Sequence, residues 1–584
     1  MTKLLEAILA SRGLTDALSR EAFLHPEYDA FRHDPFLLPD MDKAVARLNL
    51  AKERREKVVI YGDYDIDGLT ATTVLLDSFE KFGIMATAFI PNRFVEGYGL
   101  ATPAIEKLAH EGAQLIVTVD CGSLSHEQIT RANELNVDVI VTDHHSVAET
   151  MPDAVAVINP KRLLHDCPEA YEGYVVKNEF RISNIEFRKK HELEDSKFQI
   201  PNSKFYPFLD LAGVGVAFKL VQALQTKLPG LDPGQEKWLL DLVALGTVCD
   251  VVTLVDENRA NVYWGLEVMK KTRRPGIRAL MAVSRVEPGK LVARSLGFGL
   301  GPRLNAAGRL ETAQLALDLL RTDNPQEALE LANTLDGMNT ARRSEQDKIY
   351  KAAIMQAETF ATHPVLIVSD PAWSHGIIGI VAAKLLERYS KPTFVLQELP
   401  DGTAKGSARS YGDFSAVEAI RATEMLLIKG GGHKLAAGVT LETTNIPSWR
   451  GAVNAYYKQL KLSDQTKHLQ VVGEVTLPDF GQVAENAVAE LSQLEPYGLG
   501  NREPVFEFTN LTVVSRKTMG ADNQHVKYRF ADRKSKMMDM IAFNKADVFT
   551  ADIGDVVNVW GELGINEWNG RRSVEGILKR LKVT

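Results

Sequence analysis

The chain has 584 residues, too many for one hydrophobic core, and at roughly 150 residues per domain it predicts three or four domains. Hydrophobic residues at 45% and charged residues at 25% exclude a disordered or fibrous class, and no apolar run is long enough to span a bilayer. The net charge of −8, from 68 Lys+Arg against 76 Asp+Glu, excludes a generally basic nucleic-acid binder; any such binding must come from local clusters.

In chain order, MTKLLEAILASRGL reads as an amphipathic helix, because it lacks the unbroken apolar core and small-residue cleavage site of a secretory leader. Cys121, Cys167 and Cys249 fit no metal-binding spacing, and so sparse and odd a count points to a reducing, cytoplasmic setting without membrane association. Residues 1–50 form a helical N-terminal segment. From Lys57 to about Pro160, short β-branched runs alternate with helical stretches: VVIY (58–61), LIVTV (115–119), VDVIV (137–141) and AVAVI (154–158). That alternation predicts an α/β domain with a parallel, doubly wound sheet. A polar, charged stretch over 163–206 interrupts it and reads as a surface insertion, with YVVKNEFRISNIEF suggesting a hairpin.

Helical character returns over 211–228 and 238–245. A long helix from about Asn324 to Ala361 opens on Asp323-Asn324-Pro325, a capping residue followed by a first-turn proline. A second α/β unit follows, with strands VLIVS (365–369) and TFVLQ (393–397) around a helix over 377–389. From about Lys467, short strands (VVGEVTL, PVFEFTNLTVVS, KYRF, DVVNVWGEL, SVEGIL) predict a small β-barrel. The predicted division is 1–50 helical, 51–323 catalytic with the insertion at about 163–206, 324–363 connecting helix, 364–464 substrate-binding and 465–584 OB-like and nucleic-acid-binding.

Four acidic clusters carry the chemistry: Asp63, Asp65 and Asp67 in IYGDYDIDG, Asp120 in VTVDCGS, Asp143-His144-His145 in VTDHH, and Asp250 in GTVCDVV. The first three directly follow apolar strands, and in open parallel sheets ligand sites gather at the carboxyl ends of strands. One such D-x-D is ordinarily a turn or a cap, but four clusters in order are not. That much like charge in one crevice is untenable unless cations neutralise it. Carboxylates with imidazole suit Mn²⁺ or Mg²⁺.

DYDIDG, VDCG, TDHH and GTVCD resemble the four successive motifs of DHH phosphoesterases. GPRLNAAGRL (301–310), HGIIGIVAAKL (375–385), GSARS (406–410), GGGHKLAAG (430–438) and LEPYGLGNREPVF (494–506) resemble the RecJ family of that group, over nearly the whole chain except the insertion. The resemblance implies a catalytic DHH domain, a DHH-associated domain joined by a long helix, and a C-terminal OB-like barrel. It implies a 5′→3′ exonuclease specific for single-stranded DNA, releasing 5′-mononucleotides in DNA repair and recombination, with two Mn²⁺ or Mg²⁺ ions. By the same resemblance Asp65 holds one metal and Asp67 the other, Asp120 bridges them, and His144 and Asp250 complete the second site. Asp63 is an outer or first-site ligand, and His145 faces the scissile phosphate. Asp143 orients the histidines. Single-strand-binding protein and repair helicases are the implied partners.

For the substrate, Arg303, Asn305 and Arg309 read as part of a Gly/Ala-rich loop, and Gly430, Gly431 and Gly432 as flexible residues ahead of His433. Glycines let backbone amides approach phosphate oxygens, and arginine forks bind them bidentately. The resemblance places Arg93, Ser407 and Arg409 at the 5′ phosphate, and Arg303 and His433 along the strand near the metals. Phe94 and Tyr98 are candidates for stacking on bases. Arg516, Lys517, Lys527, Arg529, Arg533, Lys534 and Lys536 form a candidate basic track on the barrel. The chain departs from the family pattern at Trp373-Ser374-His375-Gly376, where the imidazole stands one position late, so His375 receives no catalytic role. Other DHH phosphodiesterases, acting on nanoRNA or cyclic dinucleotides, share the metal motifs but usually lack the barrel and the connecting helix. A non-catalytic DNA-binding scaffold would have lost metal ligands, and a pyrophosphatase is disfavoured by length and by the basic barrel.

Overall fold

In a computed structural model of the chain, which describes residues 1–93, 95–171, 205–310, 312–462, 471–568 and 570–584, the four apolar runs become strands of one parallel sheet. These are β1 (Val58–Tyr61), β3 (Leu115–Val119), β4 (Asp138–Thr142) and β5 (Ala156–Ile158), joined at the edge by β2 (Ala86–Phe89). Their order is β2-β1-β3-β4-β5, with every pairing parallel. β1 and β3 are buried throughout, as expected when helices cover both faces. β2, with the sequence ATAF, is only partly buried and carries no β-branched run, so sequence reading missed it. Phe94, His191 and the hairpin expected within 172–204 lie outside the described residues.

The chain forms two compact units. The first comprises Met1–Gly308, Thr312–Asn333 and Val471–Thr584; the second comprises Arg309–Glu311 and Thr334–Gln470. A 35-residue helix, Pro325–Thr359, carries the chain from the first to the second. Asn324 caps its start, its side-chain carbonyl accepting the Gln326 amide at 2.9 Å.

Within the first unit, β12 (Phe506–Met519), β13 (His525–Ala531), β14 (Met537–Ala542), β16 (Arg571–Val583) and β15 (Val556–Trp568) close into a five-stranded barrel through the β12–β15 pairing, and β11 (Val475–Leu477) adds parallel to β12. β14, MMDMIA, was missed because methionine carries little strand preference; its Met538, Met540 and Ala542 nonetheless alternate into the core. The helix Lys3–Ser11 belongs to this barrel: Leu4, Leu5, Ile8 and Leu9 share one core with Phe506, Phe508 and Tyr528. Arg12 pairs with Glu474 at 2.7 Å, and buried Arg259 donates to the carbonyls of Phe23, Glu495 and Pro496. Those bonds satisfy a guanidinium that burial would otherwise make costly.

In the second unit, β6 (Leu366–Asp370), β7 (Thr393–Glu398), β8 (Thr403–Arg409), β9 (Lys429–Gly432) and β10 (Ala436–Glu442) form a mixed sheet ordered β6-β7-β8-β10-β9. The helix His375–Tyr389 covers one face through Ile377, Ile378, Val381 and Leu385. Two expectations are corrected here. Gly430, Gly431 and Gly432, expected as flexible residues ahead of His433, lie in edge strand β9, paired antiparallel to β10. Arg303, Asn305 and Arg309 stand on a helix, Gly301–Leu310, because Leu304, Ala306 and Ala307 bury one face and outweigh the two flanking glycines. Among the described residues, no helix is long and apolar enough to cross a membrane.

Candidate metal centre

The three strand ends converge. Asp63 follows β1, and Asp65 caps the helix Ile66–Phe82, its Oδ1 accepting the Gly68 amide at 3.1 Å. Asp67 sits in the first turn of that helix, fully buried, and accepts the Gly213 amide at 2.6 Å and the Val214 amide at 2.8 Å. Those amides open the helix Gly213–Gln225, whose positive N-terminal end favours the carboxylate. Gly213 is required by contact: a Cβ there would lie 2.8 Å from Asp120 Cβ and 2.9 Å from Asp67 Oδ2.

Asp120 follows β3 with φ at +61°, a left-handed conformation rare for a residue with a Cβ and found where surroundings enforce it. His144 Nε2 lies 3.0 Å from Asp120 Oδ1, 3.6 Å from Asp250 Oδ2 and 3.7 Å from Asp67 Oδ2. None of these has hydrogen-bond geometry: His144 Nε2, Asp120 Oδ1 and Asp63 Oδ1 are buried without a hydrogen-bond partner. Atoms that converge yet do not bond to each other are what ligands of a common cation look like.

The ligand atoms fall into overlapping groups, each within 4.8 Å: Asp63, Asp65 and Asp120; Asp67, His144 and Asp250; and Asp120, His144 and His145. Asp120 is common to the first and third, and so joins two adjacent sets of potential cation ligands.

The electrostatics agree with this geometry. Burial, then the charge of Asp65, pushes Asp67 up to about 7. Burial likewise raises Asp63, Asp120 and Asp250 well above the carboxylate range, and the neighbouring aspartates add to it. Burial, then His145, lowers His144 to about 3, leaving a neutral imidazole able to ligate. Asp143 behaves oppositely: burial raises its carboxyl, but the hydrogen bond and charge of His145 outweigh it, and the carboxyl is lowered.

Asp143 is a clamp. Its Oδ1 accepts the His144 amide at 2.7 Å, the His145 amide at 3.0 Å and the His145 ring Nδ1 at 2.9 Å, while Oδ2 accepts the Ser123 amide at 2.9 Å. Asn159 adds a donor to the His145 carbonyl and one to Ser123 Oγ, both at 2.9 Å. Sequence reading missed Ser123, Asn159 and Gly213; only their positions just after core strands or before a helix signalled them.

Tyr98 stands at the crevice, its hydroxyl 3.1 Å from His145 Nδ1 and 3.3 Å from the Asp120 carbonyl, and the residue is 55% exposed. The Arg93 guanidinium lies 5.2 Å from the Tyr64 ring centroid. Arg303 donates to the Gly299 carbonyl at 2.7 Å, and Asn305 is half-buried on the same helix. In the second unit, Arg309 donates to the Gly376 carbonyl at 2.9 Å. Arg409 donates to Ser407 Oγ at 3.2 Å on β8, and exposed His433 follows Gly431 and Gly432 of β9, its amide bonded to Ala436. Of the seven residues of the basic track expected on the barrel, three are paired with carboxylates. Lys527 pairs with Asp539 and Glu575, Arg529 with Asp539, and Lys534 with Asp479, while Arg516 and Lys536 bond to backbone carbonyls.

Comparison with known proteins gives one pattern along the chain. Residues 57–247 match the DHH family N-terminal domain, 362–459 the DHHA1 domain, and 477–580 the RecJ OB domain. The single-stranded-DNA-specific exonuclease RecJ of Bacillus subtilis is 34% identical over all of this chain and 68% of its own length. That of Salmonella typhimurium is 33% identical over 98% of this chain and 95% of its own. Among solved structures, RecJ of Thermus thermophilus in complex with Mn²⁺ superposes with a TM-score of 0.77 at 29% identity, covering 99% of this chain and 75% of that one. A structure of the Thermus protein with Mg²⁺ gives 0.71 at 28% identity, covering 99% and 74%.

Proposed function

Because the chain belongs to the RecJ family of single-stranded-DNA-specific exonucleases, we infer that it hydrolyses single-stranded DNA, using two Mn²⁺ or Mg²⁺ ions held in the aspartate–histidine crevice. The 5′→3′ direction, the release of 5′-mononucleotides and a role in repair and recombination follow from the family resemblance. One observation carries the reading: Asp120 belongs to two groups of converging ligand atoms, and its Oδ1, with Asp63 Oδ1 and His144 Nε2, is buried without a hydrogen-bond partner.

Asp63, Asp65 and Asp120 would hold one cation, and Asp67, His144, Asp250 and Asp120 the other. When bound, such a pair would supply a more acidic water and positive charge for the phosphate and the departing oxygen. The residues do the rest. The Gly213 and Val214 amides keep Asp67 oriented. Asp143 fixes the His145 ring and, outweighing burial, raises its basicity, so that the imidazolium can donate to a phosphate oxygen. Tyr98 braces that ring through its hydroxyl. Arg93, Ser407 and Arg409 are proposed to hold the 5′ phosphate, and Arg303, Asn305, Arg309, Gly431, Gly432 and His433 to contact the strand. Single-strand-binding protein and repair helicases are proposed as partners, in the cytoplasm.

The test compares 5′-labelled single strands, duplexes, dinucleotides and pyrophosphate, with and without chelation. Cation-dependent release of mononucleotides from the single strand is expected. Preference for dinucleotides or pyrophosphate, or cleavage that survives chelation, would overturn the reading.

A further inference from the structure

Ser295–Leu300 is a π-helix that runs directly into the helix Gly301–Leu310. Such turns are rare and concentrate at functional sites. This one lies against the metal crevice. The thiol of Cys249, next in sequence to Asp250, donates to the Leu296 carbonyl at 3.8 Å. A Cβ on Gly301 would lie 2.7 Å from that sulfur and 3.1 Å from Cδ1 of Ile66, the residue between Asp65 and Asp67. Only glycine allows so close an approach.

Leu296 and Leu300 are both 0% exposed, whereas Phe298 is 74% exposed. Arg294, one turn earlier, holds its guanidinium 5.8 Å from the Phe298 ring centroid. Val251, directly after Asp250, is 65% exposed and held at a φ of +61°. A β-branched residue there is strained, and strain of this kind persists where the surroundings impose it. The Val251 amide donates to the Val248 carbonyl at 3.3 Å, and a Cβ on Gly297 would meet Val248 Cγ1 at 3.6 Å. The two exposed apolar side chains thus stand on segments that both touch Val248, which precedes Asp250 by two residues. The Arg294 charge also reaches the start of the barrel, where it opposes the burial and the Glu562 charge that raise the Glu503 carboxyl.

A single exposed phenyl ring needs no explanation. A phenyl backed by a guanidinium, on a π-helix in contact with the metal-binding segments, has the makings of a stacking platform. We propose that Phe298, backed by Arg294, stacks on an unpaired nucleobase of the substrate strand near the metal centre. The proposal rests on the single-strand nuclease reading and adds a reason for strand selection. A base inside a duplex has both faces covered and its edge paired, so it cannot reach the ring without being unstacked.

The test uses the full chain with Phe298→Ala and Phe298→Trp, on 5′-phosphorylated single strands carrying one abasic residue at successive positions. For the intact strand, Phe298→Ala should raise KM about tenfold, with a larger effect on KM than on kcat, and Phe298→Trp should restore it. At one position, the abasic residue should weaken the parent protein and erase its advantage over Phe298→Ala. With 2-aminopurine at that position and cleavage stopped by Asp120→Asn, fluorescence should be quenched on binding with Phe298 or Trp but not with Ala. A KM unchanged in Phe298→Ala, or a rise that persists at every abasic position, would overturn the proposal. If the parent protein does not cut single strands at all, the nuclease reading fails instead.

Discussion

Metal affinity should depend on pH in a way the crevice already specifies. To ligate, a carboxyl must give up its proton, and Asp67 keeps its proton up to about pH 7 in the metal-free chain. The sign follows: a raised acid stays neutral below its folded pKa, so affinity climbs as pH rises towards 7 and flattens above it. For one group with a pKa near 7, lowering the pH from 8 to 6 weakens binding about tenfold, or ~1.4 kcal/mol. Asp63, Asp120 and Asp250 are raised by burial too, so any proton they release on binding acts in the same direction. His144, lowered to about 3, is already neutral across this window and releases no proton. In the metal-free chain the same carboxyls lend stability at low pH that is lost as pH rises through their folded values, so the stabilisation by Mn²⁺ should widen with pH. The assay is calorimetric titration of Mn²⁺ into the chelated chain at pH 6, 7 and 8, repeated in buffers of different ionisation enthalpy to count released protons. An affinity independent of pH over this range, with no proton release, would refute the argument.

Asp120→Asn should remove nearly all hydrolysis while single-strand binding, measured by fluorescence anisotropy, persists. Arg409→Ala should weaken binding by about 1.5–3 kcal/mol through loss of a charge-assisted contact, with a larger loss on 5′-phosphorylated than on 5′-hydroxyl strands; equal losses would argue against a role at the phosphate. Replacing residues 172–204 with a short Gly/Ser linker should leave a folded, cation-dependent nuclease, because the segment begins and ends where the Tyr171 hydroxyl donates to the Tyr206 carbonyl at 2.6 Å. The thermal melt of the shortened chain should remain cooperative. A cooperative melt with abolished cleavage would show that the segment belongs to the catalytic machinery.

Several features were legible in the residues alone because their signals are local. β1, β3 and β4 are unbroken β-branched runs, and the carboxylate following each strand marks its open end. The capped start of the Pro325–Thr359 helix lies within three consecutive residues. Where local signals misled, packing had overridden them. Gly430 to Gly432 form a strand because β10 supplies hydrogen bonds that a glycine run cannot specify by itself. β14 is a strand because its methionines fill a barrel interior whose other walls come from distant segments.

By itself, then, the order of residues determined which side chains stand at strand ends, and hence which carboxylates and imidazoles are available to bind cations. Only the tertiary structure decided which of their atoms converge, that Asp120 is common to two sets, and that the Lys3–Ser11 helix packs into the core of a barrel whose strands begin at Val475. It also decided that the basic residues of β13 are paired with acidic ones on β14 and β16. The physical reason is range. Strand and cap preferences act between neighbours in the chain, whereas burial, charge pairing and ligand convergence depend on distances in space between residues that folding brings together.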